Sequence, residues 1–199
     1  MYIPQLSQQE KDSAGSSKES TVDSTNNNVY FTCGVTEESV STLNKKLIEA
    51  DMQCMALRSR FGIEDPEAIR IKLHISSYGG SVFAAWSAID TILNSTTPVD
   101  TYVKGYAASA GTLMSVAGAR RYITKNSYML IHQLSSGHWG KYEELKDDMK
   151  NSETLMEHIK QHYMDRTSIP KTELKKILKH DLWWNAEKCV KYTLADRIV

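Results

Sequence analysis

Strand-like and helix-like segments alternate along the chain from Val29 onward. "VYFTCG" has a short strand pattern, and apolar residues then recur at helical spacing over residues 37–57, with Thr36 as a suitable N-cap. The run "IRIKLHIS" alternates apolar and polar positions as a strand does. The turn "SYGGS" separates it from a helical pattern over residues 82–93. The sequence therefore predicts a strand, a glycine turn and a helix in that order.

The same order recurs in the middle of the chain. The strand pattern "VDTYVK" is followed by the small-residue stretch "GYAASAG" and the apolar stretch "TLMSVAGA". A further strand pattern, "SYMLIH", ends at His132. We expect the loops that follow these strands to converge at one edge of a sheet.

A long amphipathic helix is predicted over residues 141–163. Its apolar positions form one stripe: Tyr142, Leu145, Met149, Leu155, Met156, Ile159 and Tyr163. So regular a stripe needs a surface to cover it. The remaining pattern predicts a short helix with Leu174, the segment "HDLWW", a helix over residues 186–192 and a last strand "DRIV". Alternating strands and helices without a long repeat predict an α/β layered fold.

The N-terminal segment has a different composition from the rest. Residues 7–28 contain no aromatic side chain and almost nothing to bury, so ordering them would cost backbone entropy without return. We predict a flexible polar segment over residues 1–28 and a single folded domain over residues 29–199.

Composition narrows the classes of function. The 24 basic and 24 acidic residues cancel, which argues against nucleic acid and against an acidic membrane surface as partners. The three cysteines are odd in number and lack a CxxC pair, which predicts reduced thiols, no zinc site and a cytoplasmic location. No apolar run approaches the roughly 18 residues of a membrane span. We expect no metal and no cofactor.

Ser109 stands among small residues at a predicted strand-to-helix corner. Such a serine can simply cap the helix. It also suits catalysis, because small neighbours let a substrate carbonyl approach and the N–H groups of a helix start stabilise developing negative charge. A nucleophilic serine needs a base to take its proton, so this hypothesis requires a histidine.

Six histidines are candidates for that base. His158 and His162 lie among polar residues of the long helix and, like His74 on its strand, are expected to face solvent. His132 alone closes a strongly apolar strand at the edge where a reacting centre would form. The alternative for His132 is a half-buried structural histidine.

The turn "SSYGGSV" supplies a second feature of an acyl-transfer site. Gly79 and Gly80 have no side chains to cover their N–H groups, which suits an oxyanion or a phosphate. No GxxxxGK[ST] pattern is present, so the oxyanion is favoured over the phosphate. An ordinary tight turn is the alternative.

Taken together, "ISSYGGSV", "GYAASAGTLMSVAGA", "NSYMLIHQ" and "HDLWWNAEKCVKYTLADRI" resemble the proteolytic subunits of the Clp protease family, in colinear order. The resemblance implies Ser109 as nucleophile and His132 as general base. It also implies Asp181 as the carboxylate that orients the histidine, and Gly80 and Ala110 as oxyanion-hole donors. Spacing alone leaves Asp90, Asp100 and Asp196 equally available, and Tyr78 stands where the family usually has proline.

The resemblance also implies an architecture and partners. The fold would be a crotonase-like layered ββα superhelix with a protruding handle helix formed by the stripe on residues 141–163. Identical subunits would form two stacked heptameric rings, a tetradecamer. An AAA+ unfoldase would feed unfolded polypeptides and short peptides into the enclosed chamber. The subunit itself would cleave them as an endopeptidase without using ATP.

Two rival functions share this architecture. A catalytically silent ring subunit would keep the fold and regulate an active partner. A crotonase-type acyl-CoA enzyme would use similar glycine-turn oxyanion holes without a nucleophilic serine. Labelling by a fluorophosphonate distinguishes both from a serine endopeptidase.

Overall fold

The computed structural model describes residues 21–199, which form a mixed α/β fold. The strands are β1 (Val22–Thr25), β2 (Asn28–Phe31), β3 (Ile71–Ser77), β4 (Val99–Ala108), β5 (Arg121–Ile123), β6 (Tyr128–Leu130), β7 (Trp183–Asn185) and β8 (Arg197–Ile198). The helices are α1 (Glu37–Phe61), α2 (Val82–Asn94), α3 (Ala110–Val116), α4 (Tyr142–Arg166), α5 (Lys171–Ile177) and α6 (Ala186–Lys191). The predicted alternation of strands and helices is confirmed.

The strands form one mixed sheet in which parallel pairs dominate. The order β1-β2-β3-β4-β5-β8 is parallel throughout except for the β1–β2 hairpin. β6 adds a parallel pair to the second half of β4, and β7 pairs antiparallel with β6. The carboxyl ends of β3, β4 and β6 therefore meet at one edge, as the sequence predicted.

The predicted flexible segment is wrong for residues 21–28. Strand β1 pairs with β2 from Val22 opposite Phe31 to Thr25 opposite Asn28, and Val22 is buried. Backbone hydrogen bonds order these polar residues, and polar side chains at a sheet edge do not oppose that pairing. The rest of the segment, residues 1–20, lies outside the described residues.

Helix α1 begins where the sequence predicts. Thr36 caps it, accepting a 3.1 Å hydrogen bond from the Ser39 N–H, and Ser39 in return accepts from the Thr36 N–H. This reciprocal pair satisfies two N–H groups at the helix start. The buried apolar positions repeat at helical spacing: Val40, Leu43, Leu47, Ala50 and Cys54. Leu57, predicted to continue this face, is 44% exposed.

The core lies between the central strands and the helices. Ile71, Leu73 and Ile75 on β3 are fully buried at 0% exposure. Helix α1 packs on β1, β2 and β3, and α2 packs on α1 and α3. Because β3 is buried in this way, the Gly79–Gly80 turn that follows it is held in a fixed position.

His74 on β3 does not face solvent as expected. It is 7% exposed and lies between the rings of Tyr30 and Tyr102, with centroids 4.8 and 5.1 Å away. Its Nε2 lies 3.0 Å from Asn28 Oδ1, and burial lowers its pKa to about 4. His74 is thus a neutral structural histidine, separate from the candidate site.

Helix α4 is covered by the rest of the chain only near its C-terminal end. Ile159 and Tyr163 are its buried residues, whereas Tyr142 and Met149 are 73% and 63% exposed. The predicted apolar stripe is therefore present, but its N-terminal half has no partner within residues 21–199. Within the same residues, no helix is both long and apolar enough to cross a membrane.

Candidate active site

Ser109 sits at the corner between β4 and α3. Its backbone has φ 54° and ψ −124°, which is uncommon for a residue with a side chain. Its N–H donates to the Leu130 carbonyl at 2.9 Å, and its own carbonyl accepts from the Thr112 N–H at 2.9 Å. A strained strand-to-helix turn of this kind presents a side chain outward, as in known nucleophile elbows.

The long helix α4 packs against this corner and forms hydrogen bonds with it. The Thr112 hydroxyl donates to the Ser109 carbonyl at 2.6 Å and shares a 2.7 Å hydrogen bond with the Tyr163 hydroxyl. His162 is partly buried and does not simply face solvent as expected, since its Nε2 lies 3.0 Å from the Leu113 carbonyl. Sequence patterns did not predict these contacts of Tyr163 and His162. Each contact joins α4 to a residue more than 45 positions earlier in the chain, and local patterns do not report such distant contacts.

The glycine turn after β3 lies directly against Ser109. Gly79 has φ 94°, and a Cβ placed there would lie 2.7 Å from Ser109 Cβ and 2.9 Å from Ala110 N. Gly80 has φ 147°, and its Cβ would lie 2.2 Å from the Val35 carbonyl oxygen. Only glycine fits this close approach at either position.

Two N–H groups at this corner are free to bind a ligand. The Gly79 carbonyl accepts from the Val35 N–H and the Ser81 N–H donates to the Val35 carbonyl, both at 2.8 Å. Within residues 21–199, neither the Gly80 N–H nor the Ala110 N–H donates to a protein acceptor. Backbone donors left open beside a serine are the groups that an oxyanion requires.

His132 and Asp181 meet through strand pairing. In the antiparallel β6–β7 pair Leu130 lies opposite Trp183, so His132, two residues after β6, comes beside Asp181, two residues before β7. His132 Nδ1 lies 3.1 Å from Asp181 Oδ1, and the two side chains are 24% and 76% exposed. The contact occupies Nδ1 and leaves Nε2 for another partner.

Ser109 and His132 line one cleft of about 260 Å³. The cleft also contains Gly80 and Ala110, and its walls include apolar side chains such as Leu113 and Ile159. Among the described residues, the Ser109 hydroxyl makes no hydrogen bond to His132 or to any other group. Such a bond is often loose in a free enzyme and tightens when the substrate binds.

A second serine–histidine–aspartate chain lies on the surface nearby. Ser136 Oγ is 2.5 Å from His138 Nε2, and His138 Nδ1 is 3.1 Å from Asp148 Oδ2. Nothing in the sequence spacing identified this set. Ser136 is in an exposed loop and does not line the cleft that contains Ser109 and His132.

Other reactive groups do not compete with this cleft. Burial raises the pKa of the Cys189 thiol to about 12, which keeps the thiol protonated and unreactive at neutral pH. In the part of the chain that the structure describes, no three histidine, cysteine, aspartate or glutamate side chains cluster as a metal site would.

The site combines a serine at a strand-to-helix corner, a histidine–aspartate pair and two open N–H groups in one cleft. This combination is typical of hydrolases with a serine nucleophile. Comparison with known proteins identifies the family. The profile of the Clp protease family matches residues 49–199. The chain belongs to this family and is the peptidase core of a Clp-type protease, so the resemblance drawn from the motifs is confirmed.

Individual relatives support the same assignment. The chain is similar to the ATP-dependent Clp protease proteolytic subunit 1 of Chlamydia pneumoniae, with 32% identity over 175 residues that cover 86% of this chain and 85% of the relative. The corresponding subunit 1 of Chlamydia caviae is 30% identical over the same coverage. The ATP-dependent Clp protease proteolytic subunit of Deinococcus radiodurans is 30% identical over 68% of this chain and 67% of the relative.

Proposed function

We propose that the protein is a serine endopeptidase in which Ser109, His132 and Asp181 form the catalytic triad. The observation that carries this proposal is the convergence of Ser109, His132, Gly80 and Ala110 on one cleft, with Asp181 in contact with His132 on its outer side. Membership of the Clp protease family supports peptide-bond hydrolysis as the reaction.

Each group has one step in the proposed mechanism. Ser109 Oγ attacks the carbonyl carbon of the scissile bond, and its proton passes to His132 Nε2. The oxyanion that forms accepts hydrogen bonds from the Gly80 and Ala110 N–H groups. When the C–N bond breaks, His132 returns the proton to the leaving amine. Water then repeats the sequence on the acyl-enzyme and releases the second product.

Asp181→Asn is expected to lower kcat/KM by about 10²-fold. Removing a buried triad carboxylate costs about 10⁴-fold, because the histidine then adopts the wrong tautomer. Asp181 is 76% exposed, so water can take over part of its role. Hydrolysis of a fluorogenic peptide measures the loss. Asp148→Asn is the matched control, since Asp148 contacts His138 at the same 3.1 Å distance. A loss below about threefold would show that Asp181 is the wrong carboxylate.

We further propose that α4 is a handle helix that packs against a second ring of identical subunits. Its uncovered residues Tyr142, Leu145 and Met149 extend the stripe whose other end is buried at Ile159 and Tyr163. An exposed apolar stripe that the rest of the subunit does not cover usually marks a protein–protein interface. Two stacked heptameric rings would enclose Ser109 in a chamber.

Met149→Glu is expected to separate the stacked rings, because it would place an unpaired carboxylate in an apolar interface. Met149 is preferable to Met156 as a probe. Met156 packs on the core, and its Sδ accepts from the Leu134 N–H at 3.0 Å, so a charge there would also disturb the subunit. Native mass spectrometry measures the number of subunits. Asn151→Glu, two residues along and on the other side of the helix, should leave assembly intact. An unchanged assembly in Met149→Glu would exclude this interface.

The proposed partner is an AAA+ unfoldase, since the sequence holds no GxxxxGK[ST] pattern of its own and the relatives are named ATP-dependent. The protein alone should therefore cleave short peptides but not stably folded proteins, whose unfolding costs about 5–15 kcal/mol. Release of acid-soluble fragments from a folded protein, beside hydrolysis of a fluorogenic peptide, measures the difference without nucleotide. Efficient digestion of the folded protein would contradict the enclosed chamber.

A further inference from the structure

Three aromatic side chains cluster beside the candidate active site. The Tyr78 ring stacks on Tyr106, with centroids 4.1 Å apart and planes at 27°. Trp183 meets Tyr78 edge-on, with centroids 6.4 Å apart. Despite these contacts, Tyr78 is 57% exposed, so one side of its ring remains open.

Each member of this cluster is close in sequence to a group of the proposed mechanism. Tyr78 directly precedes the Gly79–Gly80 turn and lines the same cleft as Ser109 and His132. Tyr106 lies three residues before Ser109, and Trp183 lies two residues after Asp181. Tyr78 is therefore part of the wall of the cleft in which Ser109 lies.

The cleft chemistry favours an apolar substrate side chain at this place. No lysine, arginine, aspartate or glutamate is among the described residues that line the cleft. Val82, Leu134 and Ile159 contribute apolar surface to its walls. An aromatic ring offers an apolar face to aliphatic groups and a stacking or edge-on contact to other rings.

The Tyr78 ring is also held in place before any substrate arrives. Stacking on Tyr106 and the edge contact to Trp183 restrict its rotation, so binding against its open face costs little additional side-chain entropy. An exposed but immobilised aromatic ring is the kind of group that contributes strongly to binding.

We propose that Tyr78, supported by Tyr106 and Trp183, forms an aromatic subsite that binds an aromatic or large aliphatic side chain of the peptide substrate next to the scissile bond. This rests on the proposed endopeptidase function and adds a cleavage preference to it.

Internally quenched peptides test the subsite. In two matched series, Phe or Gln occupies in turn each position flanking a fixed cleavage bond, and kcat/KM is measured for each peptide. At one position, the kcat/KM of the Phe peptide divided by that of the Gln peptide should be about 5- to 10-fold lower in Tyr78→Ala than in the wild type. A decrease of this size is the expected effect of losing one aromatic contact. Tyr78→Phe keeps the ring and should keep the ratio.

Control variants distinguish side-chain binding at Tyr78 from a general effect on the glycine turn. Phe61→Ala removes an aromatic ring that is 67% exposed at the end of α1, outside the cleft, and should leave every ratio unchanged. A uniform loss on all peptides in Tyr78→Ala would show that Tyr78 only shapes the glycine turn, and would overturn the proposal. Unchanged ratios at every position would overturn it as well. Failure of the endopeptidase function itself would appear differently, as no cleavage by the wild type or as full cleavage by Ser109→Ala.

Discussion

Ser109→Ala is expected to abolish peptide cleavage, lowering kcat by at least about 10⁴-fold. The change removes the attacking oxygen and adds no volume. Ser109 is partly exposed in the cleft, and its backbone is held by the Leu130 carbonyl and the Thr112 N–H, which the substitution leaves in place. The fold and the assembly should therefore be preserved, and residual hydrolysis of a fluorogenic peptide measures the loss.

Ser136→Ala is the matched control for this experiment. Ser136 also contacts a histidine that contacts an aspartate, but it lies outside the cleft that Ser109 and His132 line. Its substitution should change kcat by less than about twofold, since surface changes away from a site have small effects. Retention of a tenth of the wild-type turnover in Ser109→Ala would eliminate the serine mechanism proposed for this residue.

Gly80→Ala is expected to lower kcat/KM by at least about 10²-fold, the value of one oxyanion donor. A Cβ at Gly80 would lie 2.2 Å from the Val35 carbonyl oxygen, a backbone atom that no rotamer change can move away. The turn must shift, and the Gly80 N–H shifts with it. The strained φ of 147° adds a cost on the order of 1–3 kcal/mol to folding.

Gly62→Ala is the control that distinguishes the effect of backbone strain from the effect of displacing the Gly80 N–H. Gly62 ends α1 with φ 62°, and a Cβ there would meet nothing within 4 Å. It should lower the melting temperature slightly and leave peptide hydrolysis unchanged. Peptide kinetics and thermal unfolding of both variants provide the comparison. Near-normal activity in Gly80→Ala would show that this N–H does not stabilise the oxyanion.

Local sequence patterns predicted much of the fold because they report burial directly. The spacing of Val40, Leu43 and Leu47 marks one face of α1, and those residues are buried. The small residues around Ser109 likewise mark a corner where backbones approach closely. Patterns of this kind need no information about which strand pairs with which.

Long-range pairing was the part that local patterns could not supply. Asp181 was one of several aspartates available by spacing, and only the β6–β7 register brings it beside His132. The N-terminal hairpin was missed for the same reason, since Val22–Thr25 is ordered by its neighbour β2 and not by its own composition. The β3 neighbours Tyr30 and Tyr102 decide that His74 is buried.

Peptide mapping of the protein after reaction with a fluorophosphonate tests the central claim most directly. The Ser109 oxygen should displace fluoride from phosphorus, giving a single adduct on Ser109 that forms together with the loss of peptidase activity. Ser109→Ala should acquire no adduct. A protein that cleaves peptides yet carries its adduct on Ser136, or carries none, would contradict the assignment of Ser109 as the nucleophile.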